Sequence, residues 1–133
     1  MKLAFRLRRT GLAAGVAVAM AGWALAPVPV AAHHSANSFD STKVIELEGT
    51  VKEFQWTNPH TWIQLYVVDE NGANVEWSIE GGSPGTLSRA GWRPSTFKSG
   101  TMVRIKVHPM KNGEAAGIFV GAQFPDGSSL GRW

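Results

Sequence analysis

The chain contains no cysteine. That absence excludes a disulfide framework, a thiolate metal site, a thiol nucleophile and a lipid-bearing cysteine at an export cleavage point. Tyrosine occurs once, and the four histidines all lie beyond residue 32. Long apolar runs are missing too. The stretch from Gly11 to Ala26 is uncharged and rich in Ala, Val and Leu, but its 16 residues fall short of the roughly 20 that a membrane helix needs.

What stands at the start has a definite order. Lys2, Arg6, Arg8 and Arg9 come first, the apolar stretch follows, and Pro-Val-Pro-Val-Ala-Ala ends it. A basic start, an apolar middle and a small-residue exit are the three parts of a secretory signal peptide. A membrane anchor is the competing reading. Cleavage after Ala32 puts the small residues Val30 and Ala32 third and first before the cut, whereas cleavage after Ala31 puts Pro29 third, a poorer fit. Arg8-Arg9 is a twin arginine in a context that matches a twin-arginine signal badly, so the general secretory route is expected. Residues 1–32 are read as the removed signal, 33–43 as an arm and 44–130 as the folded domain.

Removing the signal changes the charge. The net +3 and the pI of about 9.6 come largely from the segment that leaves. Beyond residue 32, nine Lys and Arg face ten Asp and Glu. No basic stripe remains for nucleic acid, and the expected location is periplasmic or secreted, with no membrane span in the mature chain. A mature part of this size buries an adequate core but not a generous one.

The remaining sequence reads as strands. From Val44 to Trp56, Ile45, Leu47, Gly49 and Val51 share one face. The apolar parity then switches to Phe54 and Trp56, which predicts a long strand with a bulge or bend, Gly49 being a place for strong curvature. Thr57-Asn58-Pro59-His60 is a turn. Thr61 to Asp69 alternates Ile63, Leu65 and Val67 against Trp62, Gln64, Tyr66 and Val68. Asp69 to Gly72 is a hairpin turn, and Ala73 to Glu80 is the third strand, with Val75, Trp77 and Ile79 on one face. Ser83 before Pro84 marks a helix start and Gly91 a stop. Thr101 to Pro109 and Gly117 to Phe124 are strands four and five. Three strands, a short helix and two more strands predict an all-β fold: a small five-stranded OB-like Greek-key barrel with one helix between strands three and four.

Several short motifs recur together: Ala-His-His-Ser at 32–35, Leu-x-Gly-Thr-Val at 47–51, Trp-Thr-Asn-Pro-His at 56–60, Glu-Gly-Gly-Ser-Pro at 80–84 and Arg-x-Gly-Trp at 89–92. As a set they resemble a family of small exported bacterial proteins classed as a domain of unknown function, from Ala32 to about Leu130. The resemblance implies an exported β-rich domain and carries no activity or site list.

Candidate chemistry starts with imidazole, the commonest neutral metal ligand. With cleavage after Ala32, His33 offers its α-amine and ring Nδ1 to one ion, and a second imidazole completes a T-shaped set of three nitrogens suited to copper. With cleavage after Ala31, an Ala-His-His start can surround Cu(II) or Ni(II) in a square plane through the amine, two amides and the His34 ring. No spacing gives a closed tetrahedral zinc set. His33, His34 and His60 are the candidate metal residues, and copper is the one cofactor the residues suggest. His60 lies in the first strand-to-strand loop, near the mouth where OB-folds bind ligands. His108 is read as solvated beside Arg104 and Lys106.

Trp62 and Tyr66 form the second candidate site. They share the face opposite Ile63, Leu65 and Val67, where exposed aromatics could stack on a glycan or a partner. Cover by the arm or by Trp133 is the alternative. Trp77 and Trp92 are read as core and helix anchor. Glu46, Glu48, Glu76 and Glu80 read as solvated strand faces, and no acid–base pair is visible. A binding protein, not an enzyme, is therefore expected. It would bind copper through its first histidines or hold an envelope protein or small ligand through its aromatics.

Overall fold

A computed structural model describes residues 36–133. The expected signal peptide, its cleavage site, His33 and His34 lie outside the described residues. A 3₁₀ turn at Ala36–Ser38 leads into strands β1 (Ile45–Gln55), β2 (Trp62–Val68) and β3 (Asn74–Glu80). Helix α1 (Pro84–Arg89) follows, then strands β4 (Met102–Pro109), β5 (Ala116–Gln123) and β6 (Ser129–Gly131).

The strands close on themselves. The first half of β1 pairs antiparallel with β4 and the second half with β2. Strand β3 pairs with β2 on one side and, in parallel, with the start of β5 on the other. Strand β5 returns antiparallel to β4. The circuit β1-β2-β3-β5-β4 with a helix between β3 and β4 is the expected OB-like barrel. Strand β1 spans much of it. Val107 faces Ile45 at one end of β1. One residue on in β4, the row His108, Ile118, Glu80, Trp62 returns to β1 at Gln55, its far end. This stagger is what lets few strands enclose a core.

The alternation sets that core. Leu47, Val51, Ile63, Leu65, Ile79, Val103, Ile105, Val107 and Ala122 point inward and are buried. The parity switch in β1 is a bulge, and it falls between Val51 and Glu53. Lys52 is the extra residue, and beyond it Phe54 faces the core. The loop at Ser99–Thr101 fastens the bend: Ser99 Oγ donates to Lys52 O (2.8 Å), Val51 N–H to Thr101 O and Gly100 N–H to Val51 O.

An aromatic cluster completes the interior. Trp92 and Phe97 are buried, and their rings lie 5.5 Å apart. Phe54 and Phe119 pack edge-on against Phe97 and Trp92, at 5.3 and 4.9 Å. Trp92 therefore anchors the chain after the helix, as expected. The end of α1 delivers it there. Gly91 has φ +89°, Gly91 N–H donates to Ser88 O and Trp92 N–H to Leu87 O. These are the two bonds of a Schellman stop, which needs a left-handed residue at this point.

Two features are additional to the expected plan. Strand β6 is a sixth strand paired with the end of β5. The arm is also docked. Phe39 is buried and bridges Met110. Asp40 N–H donates to Pro109 O, Lys111 N–H to Ser38 O and Lys111 Nζ to Asn37 O. Thr42 donates from its hydroxyl (2.6 Å) and its amide (3.1 Å) to Asp40 Oδ1, and these bonds lower the pKa of that carboxyl, the hydroxyl first. His108, expected to be solvated, holds the same arm: its Nδ1 bonds to Lys43 O at 2.6 Å. A carbonyl only accepts, so the ring proton is on Nδ1.

Candidate functional site

The turn Thr57–His60 and the run Glu80–Ser83 are separate motifs in sequence and one corner in space. The β2–β3 hairpin brings them together. Its Asn-Gly turn is closed by Asp69, whose Oδ1 accepts from Asn71 N–H (2.9 Å) and Ala73 N–H (2.8 Å). Pairing then runs without a slip from Val68–Asn74 back to Trp62–Glu80. Beyond that last pair the two chains stay linked. Thr61 is fully buried. Its amide and its hydroxyl both donate to Gly82 O at 3.0 Å, and Gly81 N–H donates to Thr61 O at 2.8 Å. A Cβ at Gly81 would run into Thr61 Oγ1, so only glycine allows this approach. Thr57 Oγ1 donates to His60 O at 2.9 Å and closes the turn from the other side. The Asn58–Pro59 peptide within it is cis.

Held this way, His60 Nδ1 pairs with Glu80 Oε1. The His60 side chain is 42% exposed and that of Glu80 12%, while Nδ1 itself is closed to solvent. The exposed part of the imidazole is therefore the rest of the ring. Glu80 is a correction to the sequence reading, which placed it on a solvated strand face. Two other strand carboxylates, Glu46 and Glu76, are paired as well. Glu46 Oε1 accepts from Arg104 Nε at 2.7 Å and also takes its Nη2. Glu76 accepts from Lys52 Nζ at 2.8 Å, a bond that comes first in raising the Lys52 pKa.

Trp62 stands beside this corner, half-buried, opposite Glu80 in the ladder. Tyr66 does not join it. Gln64 lies between them and bonds to Gln55 on the same outer face. Tyr66 is 38% exposed, with Lys52 Nζ 5.5 Å from its ring centroid. Its apolar neighbours are Val68 and Met102, both more than half exposed. Together with Glu48, Thr50 and Asn74 these three line a surface cavity of about 470 Å³. Trp62 and Tyr66 thus share the outer face of β2 with Gln64 between them. Trp133 covers neither ring: it lies over Lys106 (4.3 Å) and Arg104 (5.3 Å). Another cavity, of about 500 Å³, lies between Thr96, Lys98, Phe124 and Leu130 and contains none of the sequence-predicted residues.

Among the described residues, no three His, Asp or Glu side chains stand close enough to hold a metal ion, and no helix is long and apolar enough to cross a membrane. The structure brings His60 together with Glu80. It brings His108 to the arm, on the far side of Ile118 from Glu80. Glu80 was the residue that sequence reasoning missed. The signal for it was present: counting pairs back from the Asn-Gly turn puts Trp62 opposite Glu80, next to His60.

A family model described as a family of unknown function (DUF6152) matches residues 19–120. That span contains both halves of the corner. No curated protein and no solved structure matches the chain.

Proposed function

The chain belongs to this family of unknown function, DUF6152, and we propose that it is an exported β-barrel protein that binds copper through its first mature histidines, His33 and His34, with His60. The observation that carries this reading is the anchorage of the arm. Only Ser35 and Ala36 separate His34 from Asn37, whose carbonyl is bonded to Lys111 Nζ at 2.8 Å. The next residues are fixed by Phe39 and by backbone bonds to Pro109 and Lys111. A short run of backbone contacts also links the anchored arm to β3. Phe39 faces Met110, Met110 N–H bonds to Ala116 O, and Ala116 faces Ser78, two residues before Glu80. Tethering of this kind raises the effective concentration of the terminal donors at the barrel wall. An amine and imidazoles form the nitrogen-rich set that Cu(II) favours.

Calorimetric titration of the correctly processed protein with Cu(II) tests the reading. One Met added before His33 moves the amine off the chelate, and the affinity is expected to fall by more than about tenfold, over 1.4 kcal/mol. A smaller loss overturns the terminal site. In that case the exposed face of Tyr66, Val68 and Met102 is the favoured working surface. The protein is then a metal-independent module for a partner protein or envelope glycan.

A further inference from the structure

We infer that Glu80 is the positioning residue that makes His60 a ligand through Nε2. The inference rests on the copper reading above but makes a claim about the metal-free protein too. A neutral imidazole has one N–H and one lone pair. A lone pair on Nδ1 would face the Glu80 carboxylate oxygen across a contact that excludes water, and two acceptors repel. The proton is therefore on Nδ1, and the lone pair is on Nε2. Histidines that ligate metals have this arrangement: the second ring nitrogen donates to a carboxylate or carbonyl, which fixes the tautomer, orients the ring and raises its basicity.

Both partners are held from the backbone, not by each other alone. Glu80 is fixed between two strands, opposite Trp62 in β2 and Ile118 in β5. His60 is fixed by the Thr57 hydrogen bond to its carbonyl and by the two hydrogen bonds that the next residue, Thr61, donates to Gly82 O. Each chain carries a constraint on its own half of the pair. The ring is thus presented in one orientation before any ion arrives, which limits the ordering cost of binding.

The tautomer can be read directly. Long-range ¹H–¹⁵N spectra of the metal-free protein at about pH 8 are expected to show His60 with Nδ1–H and an unprotonated Nε2. Wild-type protein with Nε2–H overturns the inference whatever the copper result. Glu80→Leu is expected to shift His60 to the Nε2–H form that free imidazole side chains prefer. It is also expected to lower Cu(II) affinity by about ten- to a hundredfold, the usual effect of losing such a partner. Glu80→Gln keeps an acceptor oxygen and nearly the same shape. It is expected to keep the Nδ1–H form and lose less affinity, which separates positioning from loss of the fold. Full copper affinity in Glu80→Leu overturns the role of His60 as a ligand. Blocking the amine before His33 tests the terminal site independently, so the two failures are distinguishable.

Discussion

Thr61 donates twice to one oxygen, from its amide and from its hydroxyl, each at 3.0 Å to Gly82 O. Thr61→Val removes the hydroxyl bond but keeps the amide bond, so the carbonyl is not orphaned. The expected cost is about 1 kcal/mol, seen as a lower denaturation midpoint with an unchanged slope. The same corner shows what residue-level reading reaches. Asn before Pro announced the turn at His60, and Asn-Gly announced the hairpin. The partner of His60 was not legible from residue type, because a glutamate alternating with apolar residues has the pattern of a solvated face. Its role comes from the cross-strand register and from the turn that folds His60 back over it. His108 was misread for a related reason: what it bonds is a backbone carbonyl, Lys43 O, which has no signature in sequence.

Among the elements, α1 depends most on its ends. It has six residues and none of them is buried. Ser83 Oγ accepts from Thr86 N–H at 3.3 Å, and the Schellman bonds close the other end. Ser83→Ala is expected to cost about 1 kcal/mol, read as a melting temperature lower by about 4–8 °C for a domain of this size. Ser-Pro and Gly made both ends of this helix visible in advance. Periodicity did as much for the five main strands. The phase switch from Val51 to Phe54 marked the bulge. Gly49 is a close approach, where a Cβ would strike Tyr66 O. Strand β6 left no such trace. Three residues with one apolar side chain, Leu130, are too short for any period to show.

For the molecule as a whole, the docked arm extends the fold beyond the barrel. Phe39 is 4% exposed. Phe39→Ala is expected to cost about 3–5 kcal/mol if the gap does not collapse, a large part of the roughly 5–15 kcal/mol that stabilises such a domain. Equilibrium unfolding gives the size. Faster amide exchange at Lys111, whose N–H bonds to Ser38 O, would show that the arm has left the wall. The docking of the arm left no trace in sequence, because one Phe among Ser, Asn and Asp carries no pattern. The barrel class was legible from the order of strands and helix. The pairing that closes it leaves no local pattern, since β3 and β5 meet in parallel across three pairs with α1 and β4 lying between them in sequence.

That closure and the small sixth strand have a joint effect on how the protein behaves in a crowd of its own copies. Strand β5, Ala116–Gln123, carries no charge and no proline and has Ile118, Phe119 and Val120 in succession. An extended segment of that composition is a template for pairing with other chains. Strand β3 takes its outer edge from Ala116 to Ile118, and β6 takes it from Gly121 to Gln123. Arg132 N–H bonds Val120 O in the interval. With β4 along the other side, this uncharged strand presents no long open edge for another copy to pair with: its backbone hydrogen bonds are shared out among β3, β4, β6 and Arg132.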